Sequence, residues 1–264
     1  MAEPVNVLDM TPSDFKTFLD SFDYVFSDCD GVLWSGAPLP KSGEFIEKMK
    51  KLGKSVHFVS NNSIRTRENY ESKFKAAGIE NGFDNLTVPS IAMAEYLKSI
   101  NFDKKIYCVS CPETVRVLER AGWDCVVGPE TGADNYADYI QYLRDDLDVG
   151  AVVFDSDYKV NLPRLYKALT YLKRPDVIFL SGATDKYVPL QPGSLILATG
   201  IFTDIVVAES KRKPVLLGKP GQGFAEFAMK RAGATNPSRV LFIGDMIDQD
   251  VGLGKAAGFK TLCY

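Results

Sequence analysis

Six short runs of β-branched and aromatic residues recur along the chain, most of them separated by longer segments with apolar residues at helical spacing. That alternation is the strongest constraint on the fold. The runs Tyr24-Val-Phe-Ser27, Val56-His-Phe-Val59, Lys105-Ile-Tyr-Cys-Val109, Ala151-Val-Val-Phe154, Val177-Ile-Phe-Leu180 and Val240-Leu-Phe-Ile243 read as buried strands. Gly43–Leu52, Thr66–Ala77, Thr114–Ala121, Leu162–Leu172 and Phe224–Ala232 read as helices, several stopped by a glycine at 53, 78, 122 or 233. Strands alternating with helices predict an α/β fold of parallel sheets covered by helices. At 264 residues, 45% hydrophobic and 25% charged, the chain has material for one large domain or two modest ones.

Charge and composition exclude several function classes. A net charge of -3 leaves no overall field for nucleic acid or an anionic membrane, and Lys211-Arg212-Lys213 is too short a cluster to reverse that. No apolar run approaches the roughly 18 residues that a membrane-spanning helix needs. The start of the chain lacks the basic and apolar regions of a signal peptide. Five cysteines, at 29, 108, 111, 125 and 263, do not form a disulfide framework, so a reducing compartment, the cytoplasm, is expected. Cys108-Val-Ser-Cys111-Pro112 has no second pair or histidine at ligand spacing and reads as a strand end followed by a helix start. Cys29 reads as structural, His57 as a buried or half-buried strand residue, and Trp34 as packing on its own loop.

The chemistry concentrates where apolar strands end. Val25-Phe-Ser-Asp28-Cys-Asp30-Gly31-Val-Leu-Trp34 runs a strand into two carboxylates that strand alternation puts on one face. Two acids so close repel each other and call for a divalent cation or a shifted pKa. By itself such a triplet is common, and Asp155-Ser-Asp157 has the same look, read here as loop acids or caps. The first differs by its company: Ser60-Asn61-Asn62-Ser63, Gly218-Lys219-Pro220 and Gly244-Asp245 with Asp250 each lie past a strand or before a helix. In an open parallel sheet such ends converge on the ligand crevice, and this set suits a phosphoryl group with a metal ion.

These four ordered motifs resemble those of the haloacid dehalogenase superfamily, in its p-nitrophenylphosphatase, phosphoglycolate phosphatase and pyridoxal phosphatase branch. The resemblance spans nearly the whole chain. It implies a Rossmann-like core with a parallel sheet, residues 1–101 and 213–264, and an inserted α/β cap of the C2 type at 102–212. It implies a phosphomonoesterase for small phosphorylated metabolites such as p-nitrophenyl phosphate or phosphoglycolate. Asp28 would be the nucleophile that forms an aspartyl-phosphate, and Asp30 the general acid and base. Ser60 and Lys219 would bind the phosphoryl oxygens with help from Asn61 and Asn62. Mg²⁺ would sit on Asp28, the Asp30 carbonyl and Asp245, with Asp250 holding the site from behind.

The family's cap specificity loop maps to Ser181–Tyr187, making Thr184, Asp185 and Lys186 candidate substrate contacts, with Lys186 the expected reader of a small carboxylate. Pyridoxal phosphatase has a histidine in this loop, and here there is none. The family pattern also runs past the last strand, whereas this chain stops at Tyr264, so its C-terminus is either missing or shorter; Ala198-Thr199-Gly200 stands where Gly-Thr-Gly is usual. Pyridoxal phosphate and phosphoprotein phosphatases, a phosphotransferase or mutase, and a catalytically silent regulatory protein stay open as alternatives. So does a homodimer through the cap.

Overall fold

The computed structural model describes residues 5–132, 134–191 and 193–264. The chain begins with α1 (Pro12–Asp20) and β1 (Tyr24–Ser27), then a small antiparallel flap of β2 (Trp34–Ser35) and β3 (Ala37–Pro38). Next come α2 (Ser42–Lys51), β4 (Ser55–Val59), α3 (Arg67–Ala76), β5 (Leu86–Thr87) and α4 (Pro89–Ser99). The middle holds β6 (Lys105–Val109), α5 (Pro112–Arg120), β7 (Cys125–Val127), α6 (Tyr136–Tyr139), β8 (Val149–Phe154), α7 (Leu162–Leu172) and β9 (Ile178–Ser181). A hairpin of β10 (Tyr187–Gln191) and β11 (Ser194–Leu197) follows, then α8 (Thr199–Ser210) and β12 (Val215–Leu216). The chain closes with α9 (Gln222–Ala232), β13 (Val240–Gly244), a π-helical turn (Ile247–Val251), α10 (Gly252–Ala257) and β14 (Lys260–Cys263).

All six strand runs anticipated from sequence are strands, and the glycines at 53, 78, 122 and 233 all take positive φ at helix ends. Two five-stranded parallel sheets result. The first has the order β14-β13-β1-β4-β5 and the second β12-β9-β8-β6-β7. The first is discontinuous in sequence, and the second is built from the stretch between its β5 and β13. β12, at residues 215–216, pairs with β9, so the returning chain stays hydrogen-bonded to the second sheet before it enters α9.

The two sheets share apolar packing. One buried cluster runs from Phe26 and Val59 through Met93 of α4 and Phe224 of α9 to Ile106, Val153 and Leu180 of the second sheet. A second cluster, with Trp34, Tyr70 and Phe74, fills the other face of the first sheet; a third, with Tyr107, Val152 and Tyr171, fills the far face of the second. Burying side chains of this size contributes roughly 1.5–3 kcal/mol each. Continuous apolar packing between the sheets also opposes free rotation of one against the other.

His57 lies half-buried on β4, edge-on to Phe26 with ring centroids 5.7 Å apart, and its Nε2 is 2.9 Å from Ser55 Oγ. Burial, with Arg231 adding to it, lowers the imidazole to about 4. The unfolded chain therefore takes up this proton first as pH falls, so stability is lost between about pH 6.5 and 4. Because the ring is partly solvated, we expect a loss on the order of 1–2 kcal/mol. His57→Gln should melt with a shallower pH dependence across that window. An unchanged slope would show that His57 does not carry the acid sensitivity.

Candidate active site

The carboxyl ends of both sheets open on one cleft of about 420 Å³. In the first sheet the strand order reverses about β1, the place where an open parallel sheet leaves a crevice. Asp28 follows β1 directly, and its backbone N–H donates to the Ile243 carbonyl at 2.8 Å, which continues the pairing with β13. Its side chain is buried, with Oδ1 2.9 Å from Lys219 Nζ. The same ammonium lies 2.6 Å from Asp250 Oδ1, so one buried cation serves two buried carboxylates. Burial pushes the Asp28 carboxyl up to about 7; Lys219 pulls against that and Asp250 adds to it. Burial pulls the Lys219 ammonium down, but Asp28 and Asp250 outweigh it and hold its pKa above the ordinary value.

Asp30 lies one turn of the loop further on. Both Nη atoms of Arg65 donate to its two oxygens, and Trp34 Nε1 donates to Oδ1 at 3.1 Å. Trp34 is buried and edge-on to Phe74 of α3, so its packing reaches beyond its own loop, and it also lines the cleft. Gly31 between them has φ +85°, and a Cβ there would lie 2.2 Å from Asp245 Oδ2. Only glycine lets the loop turn and at the same time bring its backbone against Asp245.

Past β4, the buried Ser60 Oγ accepts from Asn62 N–H at 3.2 Å and from Tyr70 Oη at 3.3 Å. Asn62 Oδ1 accepts from Ile64 N–H, closing a tight turn. Asn61 is engaged by protein on every side. Its Oδ1 accepts from Lys219 N–H at 2.7 Å, and its Nδ2 donates to Asp185 Oδ2 at 2.9 Å and to the Lys219 carbonyl at 3.3 Å. Thr184 Oγ1 donates to that same carbonyl at 3.0 Å. Thr184 and Asp185 thus arrive from the loop after β9 and meet the first sheet's residues. Lys186 does not join them. Its Nζ is 2.8 Å from Asp204 Oδ2 on α8, and its side chain is 60% exposed.

The second acidic pair lies in the loop after β8, as expected, and is buried there. Asp155 follows β8 and accepts from Thr114 Oγ1 at 2.9 Å and Ala183 N–H at 3.3 Å; burial raises its pKa. Asp157 forms a buried ion pair with Arg164 at 2.7 Å. Tertiary packing over β8 encloses both, which their polar sequence neighbours did not announce. Cys108 lies within β6 and Cys111 precedes α5, both buried; Cys29 is buried too, and burial beside Asp28 and Asp30 raises its thiol well above the ordinary range.

Among the described residues, the carboxylates of Asp28, Asp245 and Asp250 form a group whose ligand oxygens lie within 4.8 Å of one another. Asp250 has both oxygens engaged, Oδ1 by Lys219 and Oδ2 by the N–H groups of Asp245 and Met246 at 3.1 and 3.0 Å. Asp28 and Asp245 therefore carry the oxygens free to face a hard cation, with Asp250 bracing the loop behind them. The site fits such an ion.

Arg65, Tyr70, Tyr158 and Gln249 also belong to this neighbourhood, and sequence reading assigned none of them a role; Tyr187, the last residue of the expected specificity loop, lines the cleft as well. Arg65 is 35 residues from Asp30, and no local pattern links the two. The only available signal was a basic residue just after a polar strand end.

A family profile described as haloacid dehalogenase-like hydrolase matches residues 25–124, and one described as HAD-hydrolase-like matches residues 216–264. Phosphoglycolate phosphatase 2 of Arabidopsis thaliana is 32% identical over 259 residues, covering 96% of this chain and 86% of that protein. The chain belongs to the haloacid dehalogenase-like hydrolases. Glycerol-3-phosphate phosphatase of Rattus norvegicus is 30% identical over 259 residues, covering 94% of this hydrolase and 80% of the relative. The p-nitrophenyl phosphatase of Archaeoglobus fulgidus superposes with a TM-score of 0.77 at 28% identity, covering 92% of this chain and 86% of its own. This hydrolase is a phosphatase with the α/β fold of that group. Among the described residues, no helix is long and apolar enough to cross a membrane.

Proposed function

We propose that this hydrolase is a Mg²⁺-dependent phosphomonoesterase of small phosphorylated metabolites, working through an aspartyl-phosphate on Asp28. The observation that carries the reading is the buried Asp28 carboxylate held on Lys219 beside Asp245 and Asp250, with Asp30 at the same strand end. An Asp28 oxygen attacks phosphorus in line, and the bond to the leaving oxygen breaks while Asp30 gives that oxygen a proton. Asp30 then takes a proton from the water that attacks the phosphorus of the acyl phosphate, and Asp28 is released. Arg65 and Trp34 hold Asp30 in one orientation for both transfers. Lys219 and Ser60, with the N–H groups at Asn61 and Asn62, balance the charge on the phosphoryl oxygens. Asn61 itself works through its protein contacts, since it ties Lys219 to Asp185. Mg²⁺ on Asp28, the Asp30 carbonyl and Asp245 would supply the remaining positive charge.

The cap at 102–212 and the core at 1–101 and 213–264 are part of the proposal, with β12 the strand by which the returning chain stays attached to the cap sheet. Five free cysteines support a cytoplasmic enzyme. Exposed Tyr136, Ile140 and Leu143 on the cap support a homodimer there, which sedimentation equilibrium would read. The intact set Asp28, Asp30, Ser60, Lys219 and Asp245 speaks against a silent regulatory protein.

Phosphate release from p-nitrophenyl phosphate tests the activity. We expect turnover with Mg²⁺, none after chelation, and no recovery with Ca²⁺, whose longer bonds and higher coordination number spoil in-line geometry at Asp28. Full activity in chelator would contradict the metal assignment.

A further inference from the structure

We infer that the leaving-group side of this cleft takes uncharged hydroxylated or aromatic alcohols and turns away anionic ones. The inference rests on the phosphatase reading and concerns only what lies beyond the bridging oxygen. The cap contributes Ser156 and Tyr158 after β8, and Asp185, Tyr187 and Val188 after β9. Among the described residues, no cap side chain lining the cleft is a cation, and one is an acid. The loop's own cation, Lys186, is turned away and paired with Asp204. A reader of carboxylates in this loop is therefore absent from the place where a substrate would meet it.

The two cations that do line the cleft are both committed. Lys219 is locked between Asp28 and Asp250 at the phosphoryl end. Arg65 gives both Nη atoms to Asp30. A carboxylate or second phosphate on the leaving group would have to share with Asp30 a guanidinium whose charge that carboxylate already balances. It would also lie within the field of Asp185. An anion there meets an acid and no uncommitted cation among the described residues of the lining.

What the cleft offers instead is aromatic surface carrying hydroxyls. Tyr158 and Tyr187 are 62% and 53% exposed, and neither stacks on another ring among the described residues. Their faces suit an aryl group, and their phenol oxygens both give and accept hydrogen bonds with an alcohol. Val188 and Met246 add apolar wall.

The test compares two alkyl monoesters that differ in charge, glycerol 3-phosphate and 2-phosphoglycolate, on the full chain with Mg²⁺, with p-nitrophenyl phosphate as a third substrate. We expect kcat/KM for glycerol 3-phosphate and p-nitrophenyl phosphate to exceed that for 2-phosphoglycolate by about tenfold or more, the effect of one unmatched charge. Tyr187→Lys should shift the ratio toward 2-phosphoglycolate, whereas Lys186→Ala should leave it where it was. Equal or better use of 2-phosphoglycolate by the wild-type enzyme overturns the inference while upholding the phosphatase reading. So does a selective loss of that substrate in Lys186→Ala. Release of phosphate from none of the three overturns both. Because the wild-type ratio decides alone, a poorly folding Tyr187→Lys would not rescue the idea.

Discussion

Asp28→Asn should lower kcat on the order of 10³-fold or more while the protein melts within a few degrees of wild type. The amide fills the same space after β1, and its oxygen can still accept from Lys219 Nζ, now 2.9 Å from the carboxylate. It cannot act as the attacking group. Stability should hold because the Lys219 ammonium keeps Asp250 as a partner at 2.6 Å when the Asp28 charge is removed. Single-turnover phosphate release and a thermal melt read both sides, on protein checked for deamidation. Retention of more than about 5% of wild-type kcat would remove Asp28 from the role of nucleophile.

Lys219→Met should damage fold and activity together. Lys219 is 3% exposed, and its ammonium is shared by Asp28 and Asp250, at 2.9 and 2.6 Å. Without it two buried carboxylates face each other with no cation between them, a change worth about 3–5 kcal/mol. For a chain of this size that corresponds to a fall in Tm of roughly 10 °C. Adding Asp250→Asn should restore part of the melting temperature and none of the turnover, because it removes the repulsion without replacing the phosphoryl-binding charge. A single variant that melts like wild type would mean that water, not Lys219, balances these acids.

Much of the fold was legible in local pattern. Tyr24–Ser27, Lys105–Val109 and Leu162–Leu172 have the bounds read from sequence, because short apolar runs and a full helical stripe leave little choice of period. α4 and α8 went unread or only hinted at for opposite reasons. Pro89–Ser99 carries small and apolar residues around most of its surface, since it packs between the two sheets. Thr199–Ser210 is rich in Ile, Val and Thr, which favour strands when nothing else intervenes. In both, tertiary packing overrides the local signal. The short strands β5 and β12 exist only because a longer neighbour offers an edge.

The same division runs through the site. The sequence by itself determined the strand-end acids, the glycine at 31 and the polar residues after β4, because each is a local consequence of where an apolar strand stops. It could not determine which of these side chains are shared. Arg65 reaches Asp30 from 35 residues away, Asn61 reaches Asp185 from 124, and Lys219 reaches Asp250 across 31. Lys186 and Asp185 are neighbours in sequence, yet one turns to α8 and the other to Asn61. Asp185 lies in a loop and Lys186 at a bend just before β10, where no strand or helix period assigns a side, so only the placement of the surrounding elements decided which of the two faces the cleft.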